Sequence, residues 1–537
     1  MSDTVLIAGG GTMGAGIAFV AARGRYNVEV VEPEAGARER ALARIGTDAQ
    51  RAGDPSVVDR IRWLDTVPAR SDAVIAIEAV PERFELKRDV FVAFAAALAP
   101  TAIVATNTSS LSVSELADVV AHPERVLGLH FFNPPAAMKL VEVVHAPETS
   151  DEAIDAAFAF VERIGKTAVL TADTPGFIVN RVARPYYLQS MRALERNVAS
   201  VDELDALARS AGFRMGPFEL MDLIGLDINL ATSESVYERT ELARLIPDEL
   251  QRGMVAQGLL GRKSGRGFYD YSNGAPERLD LAVEMPQGEP DTDEFVALIG
   301  FGGLADEIAE LLEQRYEHVQ RIENDELLDE LSAEATIVID VGDGTTDRSN
   351  VIASLDGMLG EETVFFVDAY ATEIGACAAR LSHPQRLVGY GIVGSFAGQR
   401  AVEIVDSETV SDDALELAQE LFATLGKGVM LVEDVPALFL GRVVCSIVNE
   451  AVTAVYEKVA SADDIDTAMR LGTNYPIGPI AWGREIGGAR ASRILQRLAQ
   501  CEGEVFGPHR SLWVLDVEDE GTAEPIETAA PEVTRGA

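Results

Sequence analysis

Lysine is nearly missing from this chain: six occur in 537 residues, at positions 87, 139, 166, 263, 427 and 458, so most of the 45 basic residues are arginine. Against them stand 87 acidic residues, for a formal net charge of -42. No basic face is legible, so nucleic acid is not an expected partner. Cysteine is almost as scarce. Cys377, Cys445 and Cys501 are widely spaced and form neither a disulfide framework nor a metal-ligand pattern, so no metal is expected and buried thiols are the default. No apolar run approaches the ~18 residues of a membrane span, and no basic segment precedes the first apolar strand, Thr4 to Ala8. The expectation is a cytoplasmic protein without a membrane partner.

The acidic residues are spread between patterned hydrophobic runs, which places them on folded surfaces rather than in a disordered acidic segment. Such a charge opposes compaction in dilute buffer and is screened when the Debye length falls to about 3 Å at 1 M salt. The composition resembles that of proteins from salt-accumulating halophiles.

A chain of this length exceeds one hydrophobic core, and it contains a repeat. His122–Gly128 (HPERVLG) recurs 261 residues later as His383–Gly389 (HPQRLVG). The same offset carries Glu142 onto Glu403, Asp173 onto Asp434, Arg181 onto Arg442 and Asp205 onto Asp466. Upstream, Val5–Gly14 maps onto Val296–Ala305 and Glu32 onto Glu323 with offset 291, so about 30 residues, a helix and its following loop, are deleted from the second copy. The expected organisation is a Rossmann domain at 1–174, a helical domain at 175–275, and a linker at 276–293 within a Pro-, Gly- and acid-rich stretch. A degenerate Rossmann-like domain at 294–435, a second helical domain at 436–515 and a disordered acidic tail at 516–537 complete it. The fold class is thus α/β Rossmann plus all-α, tandemly duplicated with the second copy degenerate.

In the first copy an apolar strand runs into Gly9-Gly10-Gly11-Thr12-Met13-Gly14 and then a helix. In a dinucleotide-binding turn the first glycine makes the bend, the second admits the pyrophosphate, and the third packs helix on strand. Gly9, Gly11, Thr12, Met13 and Gly14 are therefore candidate cofactor contacts, with the helix N-terminus offering N–H groups to phosphate. Glu32 closes the next strand 18 residues after Gly14, where a carboxylate binds ribose hydroxyls and repels a 2′-phosphate, favouring NAD. Ala79, Val80, Glu82 and Asn107 follow later strands, on the side where ligands of an open parallel sheet bind.

His130 and Glu142 lie inside apolar strands, where each needs a partner. From these two residues alone, a catalytic pair and a buried packing pair stand level. The wider motif set resembles the 3-hydroxyacyl-CoA dehydrogenase family. It comprises Gly9–Gly14, Ile77–Glu82 (IEAVPE) with Lys87, Asn107–Ser110 (NTSS), Gly128–Pro134 (GLHFFNP), Asp173–Arg181 (DTPGFIVNR), Met215–Asp222 (MGPFELMD) and Gly261–Tyr269 (GRKSGRGFY). The resemblance implies His130 as general base, Glu142 as its orienting partner, Ser109 and Asn180 as hydrogen-bonding groups around the reacting oxygen, and Glu82 and Lys87 near the nicotinamide ribose. An imidazole titrating near ~6.5 suits removal of a hydroxyl proton at neutral pH.

The implied reaction is oxidation of (S)-3-hydroxyacyl-CoA to 3-oxoacyl-CoA with NAD, as in fatty-acid β-oxidation or 3-hydroxybutyryl-CoA metabolism. A dehydrogenase of small hydroxy or sugar acids such as gulonate, and a non-catalytic NAD-binding scaffold, are the alternatives. Family members place serine and lysine on the helix after the second strand to meet CoA phosphates. Residues 34–62 hold no lysine, and arginines 38, 40, 44 and 51 stand there instead. In the second copy Ser109, His130 and Asn180 fall on Tyr370, Gly391 and Gly441. Only one catalytic site is expected. The family's helical domain mediates dimerisation, so the resemblance implies a pseudo-dimer within one chain, itself monomeric or further self-associated.

Overall fold

The computed structural model describes residues 4–281, 291–342 and 344–517. Positions 282–290 of the expected linker and 518–537 of the expected tail lie outside the described residues.

The first sheet contains β1 Thr4–Ala8, β2 Asn27–Val31, β3 Ile61–Leu64, β4 Ile75–Glu78, β5 Ile103–Thr106, β6 Val126–Phe131, β7 Leu140–His145 and β8 Thr167–Ala172. Their order is β3-β2-β1-β4-β5-β6-β7-β8. The first six run parallel in the doubly wound dinucleotide-binding order, and β7 turns antiparallel to β6. Covered on both faces, β1, β4 and β5 read as continuous apolar runs rather than alternating ones. Helix Thr12–Arg23 buries Ala15, Ile17 and Phe19 against this sheet.

The second sheet contains β9 Asp291–Gly300, β10 Tyr316–Ile322, β11 Ile337–Gly342, β12 Val364–Asp368, β13 Leu387–Gly391, β14 Ala401–Asp406 and β15 Gly428–Glu433. Its order, β10-β9-β11-β12-β13-β14-β15, repeats the first without a counterpart of β3. The deletion therefore removes helix Ala35–Arg51 and an edge strand, more than the helix and loop expected. Losing an edge strand is tolerable because no interior pairing depends on it.

Each sheet is followed by helices. Arg184–Glu195 in the first copy packs along Leu440–Tyr456 in the second, and Leu188, Met191, Val444, Ile447 and Val448 belong to one continuous core. The contacts are reciprocal. The Ala172 N–H donates to Val459 O at 2.8 Å, and the N–H of Glu433, the repeat equivalent of Ala172, donates to the O of Val198, the equivalent of Val459, at 3.1 Å. Likewise Arg181 bonds Glu450 at 2.7 Å, while its equivalent Arg442 reaches Gln189, the equivalent of Glu450, at 3.4 Å. This is the pattern of an isologous two-fold interface, where i meets j and j meets i, realised inside one chain. No helix among the described residues is long and apolar enough to cross a membrane.

Candidate active site

The glycine turn has the geometry its sequence demands. Gly9 has φ +104°, and a Cβ there would stand 2.5 Å from Ala79 O. A Cβ on Gly14 would stand 1.9 Å from Gly9 O, so helix and strand approach only without side chains. Around a Cβ on Gly11 there is nothing within 4 Å, which leaves open space at the N-terminus of helix Thr12–Arg23. Glu32 follows β2, and its carboxylate accepts the Gly10 N–H at 2.9 Å and the Glu34 N–H at 3.1 Å. A free helix N-terminus beside a glycine without neighbours, with a fixed carboxylate one strand away, fits a dinucleotide's pyrophosphate and ribose.

Register brings the titratable pair together. His130 on β6 stands directly opposite Glu142 on β7, and its Nδ1 lies 2.5 Å from Glu142 Oε2. The other Glu142 oxygen accepts the N–H groups of Ile178 (3.1 Å) and Val179 (2.9 Å), at the entry to the helical segment. Glu142 is fully buried, so its charge is met by an imidazole and two amides rather than by water.

A cleft of about 460 Å³ opens between the sheet and the helices. Met13, Ala79, Val80, Glu82, Asn107, Ser109, His130 and Asn180 line it together. Asn107 Oδ1 accepts the Phe131 N–H at 2.9 Å, tying the loop after β5 to β6. Glu82 grips the same loop: its Oε1 accepts the N–H groups of Ser109 and Ser110, both at 3.1 Å, and the hydroxyls of Thr108 and Ser110.

Lys87 does not reach the cleft. It is 1% exposed, and its Nζ bonds both Glu78 oxygens at 2.8 and 2.9 Å and lies 3.1 Å from Glu82. The position expected at the nicotinamide ribose thus holds a buried cation behind Glu82. Burial alone would raise the Glu82 carboxyl, but Lys87 and the hydroxyl donors outweigh it and hold the group below its ordinary value. Glu78 goes the other way: burial raises it despite Lys87. Arg38, one of the arginines expected toward CoA, is instead tied to the carbonyl of Glu32 and to Asp65.

Other wall residues escaped the sequence reading. Arg184, Tyr187, Asn229 and Thr232 come from two helices of the first copy, while Gly472 and Thr473 come from the second copy. The second half therefore closes the cleft of the first.

In the second half the equivalent space is filled. The Tyr370 ring occupies the volume vacated at Gly391 and Gly441, since a Cβ at either would stand 2.8 or 2.9 Å from it. Its hydroxyl donates to Glu403 at 2.5 Å, replacing the imidazole as carboxylate partner. Burial pushes the Glu403 carboxyl up to about 7. Arg490 bonds Asp368, the equivalent of Asn107, and the carbonyl of Ile392, equivalent to Phe131, so a guanidinium is bonded to the second copy's counterparts of two cleft-lining residues.

A doubly wound sheet, a glycine turn with a carboxylate held beside it, and a buried His–Glu pair in the cleft wall are an arrangement that suits an NAD-dependent dehydrogenase. The family model described as 3-hydroxyacyl-CoA dehydrogenase, NAD binding domain, matches residues 4–174 and 305–435. The C-terminal domain model of the same family matches 176–271 and 439–523. The chain is 35% identical over 513 residues to the 3-hydroxyadipyl-CoA dehydrogenase of Escherichia coli K12, covering 94% of each. It is 37% identical over 277 residues to a probable 3-hydroxybutyryl-CoA dehydrogenase of Bacillus subtilis, covering 50% of this chain and 96% of that one. A crystal structure of 3-hydroxybutyryl-CoA dehydrogenase from E. coli K12 aligns with TM-score 0.76 and 33% identity over 95% of this chain and 98% of the other. The chain belongs to the 3-hydroxyacyl-CoA dehydrogenase family, as an NAD-dependent oxidoreductase carrying both family domains twice.

Proposed function

We propose that the first half oxidises (S)-3-hydroxyacyl-CoA to 3-oxoacyl-CoA, with His130 as general base. The observation that carries this is the 2.5 Å contact of His130 Nδ1 with Glu142 in the wall of the cleft. It commits Nδ1 as a donor and leaves Nε2 to accept the substrate's hydroxyl proton. Glu142, held by two amides, fixes that tautomer and stabilises the imidazolium. Ser109 and Asn180 donate to the reacting oxygen and hold the carbinol in line. NAD, when bound at the glycine turn, supplies the hydride acceptor. Phe131, Phe132 and Val179 line the same cleft and exclude water from it. Ordinary turnover takes place in the cytoplasm, in fatty-acid β-oxidation or 3-hydroxybutyryl-CoA metabolism.

The test is NADH oxidation with acetoacetyl-CoA in molar potassium chloride. His130→Gln loses at least a thousandfold in kcat while still binding NADH. Near-normal turnover by this variant would overturn the mechanism, and gulonate turnover without acyl-CoA turnover would move the substrate class.

A further inference from the structure

Arg184 begins helix Arg184–Glu195, four residues after Asn180, in the wall of the cleft. It is 4% exposed. Its Nε donates to the carbonyl of Asn180 at 2.8 Å, and Nη1 to the Ser233 hydroxyl at 2.9 Å and the Asn229 carbonyl at 3.4 Å. The guanidinium lies over the Tyr187 ring, 4.8 Å from its centroid. Every one of these partners is neutral. Among the described residues no carboxylate pairs with Arg184, and its Nη2 makes no hydrogen bond, in a chain with 87 acidic residues.

Other buried arginines show what the fold does when a guanidinium serves the scaffold. Arg181 pairs with Glu450, Arg386 with Asp356 and Arg442 with Glu502. Arg125 and Arg497 are also held by carbonyls, but neither lines the cleft. A buried charge without a counter-charge is costly, and burial presses the Arg184 pKa below its ordinary value with no carboxylate to offset it. The site is therefore prepared for an anion that arrives with the substrate.

Position says which end of the substrate that is. Asn180 stands at the reacting oxygen in the function proposed above, and the Arg184 guanidinium bonds the carbonyl of that same residue, so the charge lies beside the carbinol's anchor rather than on it. A short chain that continues a few carbons past the carbinol reaches it. We propose that the cleft selects 3-hydroxyacyl-CoA substrates whose acyl chain ends in a carboxylate, with Arg184 as the receptor for that carboxylate. The inference rests on the proposed reaction, and Arg184 takes no part in proton or hydride movement.

Two CoA thioesters of equal chain length test it: (S)-3-hydroxyadipyl-CoA, and (S)-3-hydroxyhexanoyl-CoA with a methyl group in place of the carboxylate. The unmodified chain prefers the first by at least about tenfold in kcat/KM, the range expected of a desolvated charge-assisted pair. Arg184→Met abolishes the preference, lowering kcat/KM on the adipyl substrate at least about tenfold more than on the hexanoyl substrate, and Arg184→Lys restores part of it. An unmodified chain that treats both substrates alike overturns the proposal without variants, and if His130→Gln still abolishes both activities, the mechanism stands. Equal losses on both substrates in Arg184→Met would make Arg184 a structural tie between helices, and overturn it as well. Inactivity of the unmodified chain on both would sink the reaction itself.

Discussion

Replacing Glu142 with Gln tests the geometry of the pair more sharply than removing the histidine. The two side chains have the same shape, and the N–H groups of Ile178 and Val179 demand an oxygen at Oε1. The amide oxygen therefore stays where Oε1 was, and the NH2 group is forced toward His130 Nδ1, 2.5 Å away in the native pair. Two donors cannot face each other, so Nδ1 must become an acceptor and the ring proton must move to Nε2. The nitrogen aimed at the substrate then carries a proton and cannot take another. An equivalent carboxylate-to-amide change in a Ser–His–Asp triad costs about 10⁴ in kcat, and a loss of about 10³ to 10⁴ is expected here, roughly 4 to 5.5 kcal/mol of barrier. Folding is nearly preserved, because both amide partners remain satisfied. Steady-state NAD reduction with (S)-3-hydroxybutyryl-CoA, beside a thermal melt of the same sample, reads both quantities. A folded Glu142→Gln protein with more than a tenth of the native kcat would refute the tautomer argument.

Three other substitutions probe the remaining structure. Gly11→Ala has open space for its methyl group and should melt normally, yet raise the Kd for NADH, read by fluorescence, at least about tenfold by blocking the pyrophosphate's approach; Gly9→Ala should instead lower Tm, because of its φ of +104° and the Ala79 carbonyl. Equal NADH affinity in a folded Gly11→Ala protein would remove the cofactor assignment. In the second half, Glu403 sits at about 7 against an ordinary 4.5, so the folded state holds its proton longer than the unfolded chain. The stability this contributes is complete below about 4.5 and is lost as pH rises toward 7. Glu403→Gln has no such loss, so its stability relative to the parent should climb across that window by on the order of 3 kcal/mol and level off above it. A difference independent of pH would contradict the burial argument.

What the sequence disclosed, and what it withheld, divides along the range of the interactions. The glycine turn, Glu32, the deletion and the alternating strands and helices are local patterns and were readable. So was the opposition of His130 and Glu142, because each sits in an apolar strand that tolerates no unpaired charge. Strand Ile61–Leu64 is four residues long and was not separable from its loop. Lys87 reads as a helix-surface cation, and only the approach of β4 turns it inward against Glu78. Arg184 gives the same local impression, since its burial depends on Asn229 and Ser233, which lie more than forty residues away in sequence. The exchange of His130, Ser109 and Asn180 for Gly391, Tyr370 and Gly441 looked like three independent losses. In three dimensions it is one, a tyrosine ring taking the room of two missing side chains.

The reciprocal contacts between the halves bear on how the protein behaves on dilution. Two separate subunits joined through such an interface part company as their concentration falls, and their melting temperature falls with it. Here the two halves belong to one chain, so the local concentration of one about the other does not fall on dilution. A half that needs its neighbour to complete a cleft, as Gly472 and Thr473 do here, is then never without it. Covalent linkage also frees the interface from identity: Glu450 could acquire its charge opposite Arg181 while its counterpart stayed the neutral Gln189, a divergence no true homodimer can make.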